Sequence, residues 1–124
     1  MQNVHFTLAY WCVLAAALLP IACAGLAKAG MMGMARTWAL ELAPEGITVN
    51  VVAPGPIRTD MFYDVVDEGS EKEKAIAAGI PVKRLGESVD VARAVRFFAE
   101  PDNSFVTGQV LYVCGGTSVG SLTL

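Results

Sequence analysis

The chain has 124 residues, room for one modest domain. Its hydrophobic fraction of 54% lies above the roughly 45–50% of an ordinary soluble domain, and its charged fraction is only 17%. A net charge of −3 with no basic block excludes an electrostatic footprint for nucleic acid, and one histidine with three scattered cysteines leaves no metal site or Ser-His-Asp constellation to build.

Residues 6–27 carry no charged side chain. Such a run is long enough for a membrane helix, and Ala22-Cys23-Ala24 resembles a signal-cleavage site. Against both, no Lys or Arg precedes the run, and Pro20 interrupts it. The other reading is a buried apolar helix. Cys12, Cys23 and Cys114 show no Cys-x-x-Cys spacing and read as reduced thiols of a cytoplasmic chain.

Apolar residues at Met31, Met34, Ala35, Trp38, Ala39 and Leu42 predict a helix from Lys28 to Ala43, ended by Pro44-Glu45-Gly46. Ile47 to Ala53 is β-branched and nearly continuously apolar, which suits a buried parallel strand. Pro54-Gly55-Pro56 stops it. Thr59 to Ala78 holds a weaker helical pattern, broken around Asp67-Glu68-Gly69-Ser70, and reads as a polar lid. Val89 to Ala99 is an amphipathic helix with Val91, Ala92, Val95 and Phe98 on one face. Gln109 to Val113 is a second strand, ending at Cys114-Gly115-Gly116. This order of elements is the tail of an α/β fold.

A Pro-Gly turn at the carboxyl end of a buried strand is where open α/β sheets bind ligands. Gly55 would let the backbone approach a cofactor closely. Ile57 and Thr59 would present an apolar side chain, backbone amides and a hydroxyl. Taken alone, Pro54 to Thr59 reads equally as a tight turn before a loop. Its context is more specific. Lys28-Ala29-Gly30, Ala39-Leu40-Glu41-Leu42-Ala43, Gly46-Ile47-Thr48-Val49-Asn50, Pro54-Gly55-Pro56-Ile57-Arg58-Thr59, Arg84-Leu85-Gly86-Glu87, Thr107-Gly108-Gln109 and Gly115-Gly116 follow one another in order. Together they resemble the second half of the short-chain dehydrogenase/reductase family, in the style of 3-oxoacyl-acyl-carrier-protein reductases and related alcohol dehydrogenases.

The resemblance implies a truncated Rossmann-like α/β fold: the last two parallel strands, flanking helices and an apolar N-terminal helix. Residues 28–124 follow the family pattern, and residues 1–27 do not. It implies NAD or NADP as cofactor, bound through Lys28, Pro54, Gly55, Pro56, Ile57 and Thr59, with the loop beside the nicotinamide carboxamide. The substrate would be a small alcohol or ketone selected by the lid from Asp60 to Gly79. Intact relatives would be homo-oligomers, joined through the Lys28–Ala43 helix and the final helix-strand region. No metal, nucleic acid or membrane is implied.

Lys28 would be the catalytic helper. In the family a Tyr stands four residues earlier, on the same helix face, and the ammonium lowers its pKa and holds the ribose. Here that position is Ala24. The family's substrate-holding Ser falls near Trp11, and no Ser precedes Ser70. The glycine-rich pyrophosphate loop belongs to a βαβ unit not found in this sequence. The expectation is therefore an inactive chain with weak cofactor binding, and an abrupt start at Lys28 fits an upstream change of reading frame. Two other readings are a membrane-anchored or secreted binding protein and a non-catalytic partner of an intact reductase.

Overall fold

The computed structural model describes residues 26–120. The chain divides into two compact units, Met1–Met34 and Ala35–Leu124. The expectations for the apolar N-terminal helix, for Ala24 and Trp11, and for Cys12 and Cys23 lie outside the described residues. In the first unit, residues 26–34 are helical and Lys28 is exposed. They open α1, which spans residues 26–42 and so begins earlier than the Lys28 start expected from the spacing.

In the second unit, α1 gives way to a 3-10 turn over Ala43–Glu45 that contains Pro44. Proline has no N–H to continue the α-helical ladder, so Ala43 falls in the turn and not in the helix. Ala35 and Ala39 are the buried residues of this stretch, whereas Trp38 is 45% exposed. The apolar spacing overstates the buried face. Ala39 lies close to Gly108: a Cβ there would meet the Ala39 Cβ at 3.5 Å.

The two strands are β1 (Val51–Pro54) and β2 (Val110–Val113). They pair in parallel, from Val51 opposite Val110 to Pro54 opposite Val113. β1 is shorter than the Ile47–Ala53 run suggested, because residues before Val51 use other partners. The Ile47 amide donates back to Leu42 O at 3.3 Å, and the Val49 amide donates to Thr107 Oγ1 at 3.1 Å. Asn50 bridges the turn before β2: its Nδ2 donates to Val106 O at 2.8 Å, and its Oδ1 accepts from the Gln109 amide at 3.0 Å. One backbone bond continues beyond the strands, from the Gly108 amide to Val49 O at 2.8 Å, and side-chain bonds supply the rest.

Between the strands lie α2 (Asp60–Tyr63), α3 (Glu71–Gly79) and α4 (Ser88–Ala99). The last packs on both strands. Its start is fixed by Asp90, which accepts from the Glu87 amide at 2.9 Å and from Arg84 at 2.7 and 3.3 Å. The Arg84 hydrogen bond first, then the Glu87 amide, hold the Asp90 carboxyl down at about 2. On its inner face Ala94 is buried and Val91 and Phe98 are half-buried. Ala92 and Val95, expected on that face, are exposed. The i, i+3, i+7 set, Val91, Ala94 and Phe98, lines the narrow stripe that faces the strands.

The buried apolar residues described are Ala35, Ala39, Val66, Ile80, Leu85 and Ala94, and Leu85 is the one large side chain fully enclosed. Leu111 and Tyr112 stay exposed on β2. Parallel sheets are normally covered on both faces, and two strands alone are marginal in water. Leu85→Ala should therefore cost about 2–5 kcal/mol, the range for truncating a buried leucine. Comparing urea midpoints of the two proteins checks it; equal midpoints would show that Leu85 is not the keystone of this core.

Candidate functional site

β1 ends in a loop whose shape is set by three contacts. The Gly55 amide donates to Val113 O at 3.0 Å, extending the parallel pairing by one bond. A Cβ on Gly55 would lie 2.7 Å from Cys114 Cα, so only glycine lets the ends of the two strands approach this closely. Beyond Pro56, Ile57 forms an isolated parallel bridge with Gly86. Its bonds run from the Gly86 amide to Pro56 O at 3.0 Å and from the Arg58 amide to Gly86 O at 2.9 Å. A Cβ on Gly86 would fall on the end of the Ile57 side chain, which would have to turn aside to admit it.

The bridge has a chemical consequence. Its bonds flank Ile57, so the N–H and C=O of Ile57 itself face away from Gly86. Neither has a hydrogen-bond partner among the described residues. One donor and one acceptor side by side match the edge of a carboxamide. Thr59 caps α2, its Oγ1 accepting from the Phe62 amide at 3.3 Å. That bond leaves the hydroxyl proton free to donate.

Pro54, Gly55, Pro56, Ile57 and Thr59 form one wall of an open cleft of about 590 Å³. Met61, Phe62 and Val65 form the lid side, and Ser88 and Val91 of α4 complete it. Among the described residues, no charged side chain lines it. The sequence had singled out the wall but not Phe62, Ser88 or Val91. Their signal was available only as position: Ser88 and Val91 open the helix that follows Arg84-Leu85-Gly86-Glu87. Of the expected site residues, the structure brings Pro54, Gly55, Pro56, Ile57 and Thr59 together. Lys28 stands on α1 in the unit Met1–Met34, whereas the loop belongs to Ala35–Leu124. Among the described residues no group of His, Cys, Asp and Glu could hold a metal ion, and no helix is long and apolar enough to cross a membrane.

The sequence model of the enoyl-(acyl carrier protein) reductase family matches residues 10–118. The chain belongs to the short-chain dehydrogenase/reductase family. The family match reaches upstream of Lys28, to residue 10. Over 94 residues the chain is 51% identical to the (2S)-((R)-hydroxy(phenyl)methyl)succinyl-CoA dehydrogenase subunit BbsD of Thauera aromatica, an alignment covering 75% of this chain and 36% of that protein. It is 48% identical over 90 residues to the 3-oxoacyl-acyl-carrier-protein reductase FabG of Haemophilus influenzae, covering 73% of this chain and 36% of FabG. The solved structure of ElxO with NADP bound superposes with a TM-score of 0.69 at 38% identity, over 77% of this chain and 38% of ElxO. The chain thus spans little more than a third of the length of these dehydrogenases and reductases. The part it spans is an α/β fragment of the family's Rossmann fold, with two parallel strands and flanking helices.

Behind the loop, Cys114 lines a smaller cavity of about 280 Å³ together with Arg84, Arg93 and Tyr112. Its Sγ lies 3.1 Å from Ser118 Oγ. The Ser118 hydroxyl first, then the Ser118 amide and the Thr117 hydroxyl, stabilise the thiolate and bring the thiol down from 9.0 to about 6. Because the acid form is the one disfavoured, reactivity should rise as pH increases through about 6. Iodoacetamide labelling followed on the Cys114 peptide by mass spectrometry should show that midpoint, and Ser118→Ala should move it upward. A midpoint unchanged by Ser118→Ala would contradict the assignment.

Proposed function

We propose that this chain carries the nicotinamide-side half of an NAD(P)-dependent oxidoreductase site, and that the 124 residues by themselves neither grip the dinucleotide tightly nor turn over. The observation that carries the reading is the N–H and C=O of Ile57, without a hydrogen-bond partner among the described residues, in a loop that lines an uncharged cleft. A primary carboxamide fits that pair, and the apolar faces of Pro54, Pro56 and Ile57 fit a flat ring. The Thr59 hydroxyl is placed to donate to a nearby phosphate. The cofactor, when bound, supplies the hydride chemistry. The chain's own residues orient its carboxamide, keep the ring face dry and present the lid to the substrate.

The reading extends to a small alcohol or ketone as substrate, 3-oxoacyl compounds included. The uncharged lining of the cleft supports an apolar group next to the reacting carbon. Lys28 is assigned the helper role on α1, with Ala24 standing where the family carries its proton donor. Loss of a general acid alone is worth about 10²–10⁴ in rate. Without a glycine-rich loop the pyrophosphate loses the helix N-terminus that would face it. An oligomer in the cytoplasm completes the proposal, by likeness to the family.

Two measurements separate the parts. Calorimetric titration of the chain with NADP⁺ and NADPH should give no saturable binding at micromolar cofactor; micromolar binding would refute the predicted weakness. Nicotinamide mononucleotide at millimolar concentration should still shift the backbone amide resonances of Ile57 and Thr59 in a ¹H–¹⁵N spectrum. If those two amides stay still while others move, the loop is not a carboxamide site.

A further inference from the structure

Glu73 is the only charged residue buried among those described, and nothing in the proposed chemistry uses it. It sits in α3, on the lid, yet its carboxylate is a meeting point for three other segments. Oε2 accepts from the Gly69 amide at 2.6 Å, in the turn between α2 and α3. Oε1 accepts from the Tyr63 hydroxyl at 3.2 Å, at the end of α2. The Arg58 Nε lies 3.4 Å from the same oxygen. Arg58 belongs to the loop after β1, and its Nη1 reaches Glu87 Oε1 at 3.2 Å while its amide donates to Gly86 O at 2.9 Å.

We infer that Glu73 is a positioning residue: it latches the lid, Asp60 to Gly79, onto the Ile57–Gly86 bridge, so that lid and loop form one preassembled wall without any ligand. The argument is one of satisfaction. A carboxylate taken out of water needs donors for both oxygens. Here two come from within the lid, the Gly69 amide of its turn and the Tyr63 hydroxyl of its first helix, and the third, Arg58, comes from the loop, so lifting the lid off the loop would take from the buried charge its one cationic partner. Arg58 carries the coupling, because it alone touches Glu73 on one side and the Gly86–Glu87 segment on the other. The inference does not depend on the identity of the cofactor or substrate.

Amide hydrogen exchange on the full chain, without cofactor, tests this residue by residue. In the unsubstituted chain the amides of α2 and α3 should be protected. Glu73→Ala should speed exchange across Asp60–Gly79 by about tenfold or more, the factor expected when hydrogen bonds to a charged group are lost. It should also speed exchange at the Arg58 and Gly86 amides, which Glu73 does not touch, while the Val51–Val113 ladder stays as it was. Arg58→Met should loosen the lid although it lies outside it. Should Glu73→Ala not fold, Tyr63→Phe keeps the volume and removes one bond, and it should give the same pattern severalfold weaker. Unchanged exchange at Arg58 and Gly86 would overturn the latch, as would an equal rise everywhere, which would make Glu73 a residue of global stability only.

Discussion

The single parallel bridge between Ile57 and Gly86 is the constraint on which the rest of the site depends. It is two hydrogen bonds, yet it sets which way a backbone amide faces. By occupying Pro56 O and the Arg58 amide, it turns the N–H and C=O of Ile57 to the opposite side. It also draws Gly86-Glu87-Ser88 against the end of β1, which is how the start of α4 comes to line the cleft. A side chain at Gly86 would push the end of the Ile57 side chain aside, toward the cleft it lines. The glycine in Arg84-Leu85-Gly86-Glu87 leaves room for the Ile57 side chain, and Leu85 beside it anchors the segment in the core.

Much of this was legible in the sequence, because the family's motifs mark turns, and turns have strict residue requirements. Pro54-Gly55-Pro56 and Gly115-Gly116 located the strand ends, and the Thr107-Gly108-Gln109 turn located the start of β2. What escaped were features decided by partners far along the chain. Ile47 to Asn50 has strand composition, but there the Val49 amide bonds to the Thr107 hydroxyl and Asn50 bridges Val106 and Gln109, so the regular register starts only at Val51. Val95 has the right character for the inner face of α4 but the wrong angle, and Ala94 takes that place. Gly55 was read for its openness to a cofactor. In the fold its missing side chain answers first to Cys114.

Glu73 illustrates a different limit. Ser70 and Glu73 have the spacing of a capping box, a signal readable in one dimension, and Ser70 Oγ does accept from the Glu73 amide at 3.2 Å. A capping box predicts that the glutamate reaches back to the start of its own helix. Here it reaches one residue further, to Gly69, and is then free to accept from Tyr63 and Arg58 as well. The polar composition that made this segment look like a mobile lid is the same composition that ties it down.

The balance within that network follows from exposure. The Arg58 side chain is 46% exposed, so water screens its attraction to Glu73, and exposed ion pairs are worth little. The Gly69 amide and the Tyr63 hydroxyl are neutral donors to a charge that has left water, and such bonds are the stronger kind. Tyr63 registers the same geometry: burial first, then its hydrogen bond to Glu73, push its phenol above 10.0. The lid is thus braced internally by its own turn and helix, and Arg58 is its contact with the loop. Arg58 adds direction more than strength, telling the closed lid where the loop after β1 stands. A wall built this way offers a flat ring a surface whose order is already established before anything binds.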